Sequence, residues 1–396
     1  MNRNPADSFA LYVHWPFCLS KCPYCDFNSH VHDHIDHNAW REALVAELKY
    51  YAAMTPGRTL SSIFFGGGTP SLMNPDTVAA VIDAAQRSWR FANDIEITLE
   101  ANPTSVEAGK FAAFRQGGVN RVSLGIQSLR EKDLAFLGRK HTADEARQAI
   151  DIAAGIFDRC SFDLIYARPG QDAALWRDEL NEALGIAGGH ISLYQLTIEP
   201  GTAFFAQHAR GDFDIPNDHV SGALYEMTQD ILGEAGLPAY EISNHAREGE
   251  ESRHNLVYWR YGDYAGIGPG AHGRLTLGDR KIATRAHRAP DIWLKNVQTR
   301  GNGAHEPEAI SSDERLIEAT MMGLRLIGEL PWERLERESS RTRDRLFDAE
   351  KIKSLCNEGY LTVSDAGLTA TQEGRQRLNA LLSYLLTPSA RPFQEA

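Results

Sequence analysis

The chain has 396 residues, 42% of them hydrophobic, with 41 Lys and Arg against 53 Asp and Glu for a formal charge of -12. That length can bury a large core and divide into more than one domain. The acidic balance, without any Lys/Arg block, argues against nucleic acid as a partner, and no apolar run approaches the roughly 18 residues of a membrane span.

The apolar run Ala10–Trp15 reads as a first strand, and Cys18, Cys22 and Cys25 follow it directly. The spacing C-x3-C-x2-C supplies three thiolates from one short loop and then stops. A four-iron cluster held there keeps one iron without a protein ligand, and an open metal is where substrate can bind. Zinc asks for four ligands, whereas Cys160 and Cys356 are isolated and His30, His32, His34 and His37 lie in a polar stretch that reads as a solvated loop. Few cysteines and no signal-peptide pattern point to a reducing, cytoplasmic setting.

Further strands are predicted at Ser62–Phe65, Ile95–Glu100, Arg121–Ile126, Phe162–Tyr166 and Ile191–Leu196. Between them lie stretches of helical period, from Asn38–Ala53 to Asp218–Ala235, several opening on caps such as Asn38, Asn74, Thr104 and Thr142. Six β/α units in a row predict an α/β fold, a partial parallel barrel over residues 1–240. Residues 241–305 read as a glycine-rich connecting region, with one further strand at Glu241–Asn244 and a shaped loop at Gly262–Gly273. Residues 306–396 predict helices and a small hairpin, Leu361–Val363 with Leu368–Ala370, a winged-helix-like arrangement.

The polar and glycine residues fall at the carboxyl ends of these strands: the cysteines after the first, Gly66 to Pro70 after the second, Glu100 closing the third, Gln127 and Ser128 the fourth. In parallel α/β architectures that edge is where loops converge on a ligand, so four groups there argue for one shared site. A glycine run can approach a ligand closely, and it can equally be a strand-ending turn. Glu100 and Asp163 are carboxylates in apolar strands, each expected to have a partner; for Glu100 the simple alternative is a salt bridge with Arg121.

The segments Tyr12 to Asn28, Gly66 to Pro70, Leu99 to Pro103, Leu124 to Ser128, Leu137 to His141 and Asp163 to Tyr166 resemble, in order and spacing, the radical S-adenosylmethionine proteins grouped with oxygen-independent coproporphyrinogen III oxidase. The resemblance covers nearly the whole chain. It implies a partial (β/α)6 TIM-type barrel in which Cys18, Cys22 and Cys25 hold a 4Fe-4S cluster, with S-adenosylmethionine chelating the fourth iron. Tyr12, Gly67 and Glu100 would contact this S-adenosylmethionine, and Tyr24, Gly68, Thr69, Gln127, Arg139 and Asp163 match the places that line a second one. The implied chemistry is electron transfer from the reduced cluster into the sulfonium, with release of a carbon radical, in a chamber kept dry by the protein. A reduced flavodoxin- or ferredoxin-like electron donor is implied with it.

Within that family the chain departs from the oxidases. Phe27 stands where they carry a further cysteine, and the segment ahead of Tyr12 is shorter than theirs. Asp26 to Ser29 and His254 to Trp259 resemble instead the haem chaperone branch, which implies haem as ligand and an acceptor haemoprotein as partner, with transient membrane docking open to it. His254, beside Tyr258 and Trp259, is then a candidate haem contact, against the simpler reading of a hydrogen-bonded core histidine. Arg168, where the family carries leucine, would meet a haem propionate or stand exposed.

Overall fold

The computed structural model describes residues 9–32 and 34–387. Six strands, β1 (Phe9–Trp15), β2 (Thr59–Gly67), β3 (Arg90–Ala101), β4 (Arg121–Gln127), β5 (Arg159–Tyr166) and β6 (His190–Gln195), lie side by side and parallel. All six predicted strands are present, most of them beginning earlier than expected. Strands such as Phe9–Trp15 are apolar almost throughout because a parallel sheet is covered on its faces.

The chain returns between strands through α1 (His37–Met54), α2 (Pro75–Ser88), α3 (Phe111–Gln116), α4 (Ala143–Ile156) and α5 (Ala173–Ile186), and α6 (Asp218–Glu234) follows β6. Asn74 caps α2 ahead of Pro75, and Thr142 with Glu145 closes a capping box on α4. Asn38, expected as a cap, lies inside α1; Asp36 takes that role, accepting from the amides of Asn38 and Ala39.

The sheet does not stop at six strands. β7 (Asn244–Ala246) pairs antiparallel with β6, and β8 (Asp263–Ile267) pairs parallel with β1 on its free side. β9 (His272–Leu277), β10 (Arg280–Arg285) and β11 (Glu308–Ala309) extend that edge antiparallel. The order β11-β10-β9-β8-β1-β2-β3-β4-β5-β6-β7 is linear, so the sheet is open.

Segment 241–305 is therefore no mere connection: it contributes β7 to β10, the helix α7 (Arg253–Trp259) and the helix α8 (Pro290–Arg300). The glycine run read as a shaped loop contains β8. Its glycines serve close approach: a Cβ on Gly266 would lie 2.0 Å from the carbonyl oxygen of His272, and one on Gly268 2.2 Å from that of His14.

The first compact unit runs to Ala309, leaving out 240–242 and 258–261; those pieces and the chain from Ile310 form the second. Its core joins the sheet to the helices through residues such as Trp15, Leu44, Phe65, Leu99 and Trp176. The second unit holds α9 (Ser312–Gly323), α10 (Trp332–Ser339), α11 (Ala349–Asn357) and α12 (Leu378–Leu386). The predicted hairpin is β13 (Leu361–Val363) with β14 (Gly367–Ala370), and a third strand, β12 (Leu330–Pro331), joins it. Neither β12 nor α10 was expected. Gly367 admits β12, since a Cβ there would sit 2.2 Å from the carbonyl oxygen of Leu330.

Candidate cluster and cofactor site

The loops after β1, β2, β3 and β4 meet around a cavity of about 180 Å³ at the carboxyl edge of the sheet. Its wall includes Cys18, Cys22, Cys25, Tyr24, Gly67, Gly68, Thr69, Glu100, Gln127, Arg139 and Asp163, so eleven of the twelve residues expected around the cluster and S-adenosylmethionine share one chamber. Tyr12 and His254 do not line it.

The cysteine loop is pinned at both ends, where Phe17–Cys18 pairs with His30–Val31. The three thiols are free and half-buried. Thr69 Oγ1 lies 3.3 Å from Cys18 Sγ, Arg139 Nη1 donates to Cys22 Sγ at 3.3 Å, and Ser29 Oγ stands 3.7 Å from Cys25 Sγ. Asn102 joins the first two contacts: its amide donates to Thr69 Oγ1 at 3.2 Å, and its carbonyl accepts from Arg139. A hydrogen-bonded relay from three different loops thus holds two sulfurs in place. Donors aimed at sulfur favour the thiolate and tune a bound metal. The one sign of Asn102 in the sequence is its position two residues after Glu100.

The glycine run follows from packing. Gly67 has φ 114°, and a Cβ there would meet the His14 ring at 2.6 Å; a Cβ on Gly68 would meet the Phe17 carbonyl oxygen at 2.8 Å. The turn reading of this run is therefore sufficient for the glycines themselves.

Glu100 and Asp163 are the electrostatic centre. Glu100 accepts from the amide of Gly67 at 3.2 Å, and among the described residues the alternative, a bridge to Arg121, is not formed. Arg121 pairs opposite Thr98 and turns to Glu96, 4.0 Å away, which also takes Arg159 at 2.6 Å. Burial, reinforced by the Asp163 charge, pushes Glu100 up to about 8. Burial likewise raises Asp163 to about 6, against hydrogen bonds from Ser192 and Ser123. Among the described residues neither carboxylate forms an ion pair within 4.0 Å. Two half-buried acids on a cavity wall, without a paired cation, suit a cationic ligand.

Tyr12 lies at the base of this region. Its hydroxyl is 3.1 Å from His14 Nδ1, and His14 Nε2 donates to the Asn28 carbonyl at 2.9 Å. His14 is held neutral, lowered to about 4 by burial, so Nδ1 accepts and the Tyr12 hydroxyl donates. The ring also lies against Phe64 and His254. Gln127 has φ 71°, a left-handed turn at the end of β4 where the ladder to β5 slips.

His254 is only 1% exposed, stacked on Phe64 at 5.0 Å, with Nδ1 3.0 Å from Ser62 Oγ. The core-histidine reading describes this environment, and the imidazole has no open face for haem. Trp259, expected as flat apolar surface, carries the Arg325 guanidinium 4.5 Å from its ring centroid. Arg168 is neither exposed nor available to a propionate: 2% exposed, it pairs with Glu179 and Asp133 and donates to Ser128. The His30 to His37 stretch is also less free than expected, since His37 stacks on Trp15 and His32 meets the edge of Phe17.

The donor set fits a four-iron cluster. Each thiolate of such a cube takes a different iron, so the sulfurs ring a space instead of converging on a point. Among the described residues no three His, Cys, Asp or Glu side chains come together to hold a single ion.

Residues 12–182 match the profile of the Radical SAM superfamily, and residues 310–377 that of the HemN C-terminal domain. The chain is 40% identical over 395 residues to radical S-adenosyl methionine domain-containing protein 1, mitochondrial, from Bos taurus, covering 98% of this chain and 89% of that protein. It is 35% identical over 380 residues to heme chaperone HemW of Escherichia coli (strain K12), covering 95% and 98%. Its fold matches the solved coproporphyrinogen III oxidase (HemN) of Escherichia coli with TM-score 0.79 at 22% identity, covering 97% and 91% of the two chains.

Proposed function

The chain belongs to the radical S-adenosylmethionine family, in the group that includes heme chaperone HemW, and from that premise we propose that it is a haem chaperone carrying a 4Fe-4S cluster with S-adenosylmethionine. Cys18, Cys22 and Cys25 hold the cluster. Tyr12, Gly67 and Glu100 contact the S-adenosylmethionine on the fourth iron, and Tyr24, Gly68, Thr69, Gln127, Arg139 and Asp163 line a place for a second. When bound, this pair supplies one-electron cleavage of a carbon-sulfur bond. The chain's own residues orient it: Thr69 and Arg139 steady the thiolates, and Glu100 with Asp163 offers negative charge to an ammonium or sulfonium. The observation that carries this reading is the pair of half-buried carboxylates, without an ion pair among the described residues, that share one cavity with three thiols.

Haem, an acceptor haemoprotein and an electron donor are the partners of this reading. It is placed in the cytoplasm; names of animal relatives carry a mitochondrial label, and no helix among the described residues is long and apolar enough to cross a membrane. The alternative, oxidative decarboxylation of coproporphyrinogen III, has the fold of HemN behind it, yet Phe27 stands where that branch carries a further cysteine.

Haem titration, run beside an anaerobic assay with reductant, S-adenosylmethionine and coproporphyrinogen III, tests the choice. A stoichiometric haem complex without decarboxylation is expected. Turnover with formation of 5'-deoxyadenosine would establish the oxidase instead.

A second test concerns charge. Glu100 keeps its proton below about 8, and a ligand whose sulfonium is cationic at any pH prefers the ionised form. S-adenosylmethionine affinity, measured by calorimetry, therefore rises as pH climbs through that value, with a lower step near about 6 from Asp163. Glu100→Gln removes the upper step. A wild-type affinity flat across this range would count against the pairing.

A further inference from the structure

Alternation along three neighbouring strands sets the inner face of the sheet. Tyr12 and His14 on β1, Ser62, Phe64 and Gly66 on β2, and Glu96, Thr98 and Glu100 on β3 fall on that face. The register puts Ser62 beside Glu96, Tyr12 beside Phe64, and Phe64 beside Thr98, so these residues form layers that climb from the amino edge toward Glu100. His254 closes the lowest layer. Its amide donates to Glu96 Oε1 at 3.2 Å, and its Nδ1 stands 3.0 Å from Ser62 Oγ. Glu96 is itself fixed, taking Arg159 at 2.6 Å and lying 4.0 Å from Arg121.

The imidazole stacks on Phe64 at 5.0 Å, and its centroid is 6.2 Å from that of Tyr12. Burial, then the Arg121 charge, lowers it to about 3, so the ring is a neutral plate that brings no charge of its own under the acids. One layer up, both aromatic rings close on Gly66. A Cβ at that glycine would lie 2.9 Å from Phe64, 3.0 Å from Tyr12 and 3.2 Å from Glu100 Oε2. A continuous column therefore runs from Ser62 and Glu96 through His254 and the two rings to the Glu100 carboxylate. Tyr12 and Phe64 are half-buried, whereas His254 is 1% exposed, so the open space on this face ends at the imidazole. Close-packed side chains pass a displacement on to their neighbours, and a contact group keeps its geometry only while the residues behind it are locked.

We propose that His254 is a positioning residue of the S-adenosylmethionine site, propping the Tyr12 and Phe64 rings beneath Glu100 and sealing the amino side of the chamber. This rests on the S-adenosylmethionine reading above. It gives the histidine a role in which haem has no part. The hydrogen bonds from Ser62 and to Glu96 hold the base of the column, and the stack carries that order to the two residues, Tyr12 and Glu100, that face the ligand.

The test is calorimetry of S-adenosylmethionine and, separately, of haem on the anaerobically reconstituted full chain. His254→Ala is expected to weaken S-adenosylmethionine by about tenfold or more, with iron content and haem affinity unchanged. Replacing both hydrogen-bonding partners, in Ser62→Ala with His254→Phe, restores the plate without an orphaned hydroxyl and should bring affinity back to within about threefold of the wild type. Loss of haem affinity in His254→Ala, S-adenosylmethionine binding equal to the wild type, or a double variant no better than His254→Ala would overturn the proposal. Phe64→Leu thins the same stack with His254 in place and serves if His254→Ala does not fold. Weaker S-adenosylmethionine with haem unmoved is expected of it, and unchanged S-adenosylmethionine affinity there would also overturn the proposal. A wild type that binds no S-adenosylmethionine would sink the cofactor reading and this role with it, whereas wild-type binding matched by the variants sinks this role alone.

Discussion

Cys22→Ser is expected to lower iron and acid-labile sulfide per chain by at least about tenfold after anaerobic reconstitution, with the fold intact. A serine hydroxyl is a hard, poorly ionised donor where a soft thiolate is required. The structural cost is small. Cys22 is half-buried, and the Arg139 guanidinium that contacts it keeps Asn102 and the Gly125 carbonyl, the latter at 2.7 Å. Unfolding in denaturant should shift by no more than about 0.5 kcal/mol. Wild-type iron content in this variant would remove Cys22 from the ligand set.

Arg168→Met should be far more damaging to stability, by about 3–5 kcal/mol in urea unfolding. Arg168 lies 2% exposed among Glu179, Asp133 and Ser128. Removing its charge leaves the Glu179 carboxylate buried with Ser128 Oγ at 2.6 Å and the Leu129 amide at 2.8 Å as its donors. That is hydrogen bonding without charge compensation. Converting the acid as well, in Arg168→Met with Glu179→Gln, should recover most of the loss, because a neutral pair pays no desolvation for charge. A single variant as stable as the wild type would show that the pair contributes nothing net. The same pairing explains why arginine stands here: the residue answers a buried glutamate, and no ligand is needed to account for it.

Much of the site was legible because it is local. The thiol spacing lies within one loop, and Gly67, Glu100 and Gln127 each end a strand whose apolar run marks its own limits. A parallel sheet then brings all those ends to one edge, so position along the chain was enough to forecast a shared cavity. The role of Asn102 was not legible because it exists only across loops: its hydrogen bonds reach Thr69 on the loop after β2 and Arg139 after β4.

By itself the sequence determined the order of the six parallel strands, the place of the three thiols and the family, since repeating patterns and fixed motifs are properties of neighbouring residues. Only the tertiary structure decided that a glycine-rich stretch is a seventh parallel strand beside β1, that His254 is sealed against Phe64 and Ser62, and that Arg168 is buried on Glu179. Those outcomes depend on which backbone approaches which, and on whether a charge finds its partner before it loses its water. Neither is written in the spacing of residues along a chain.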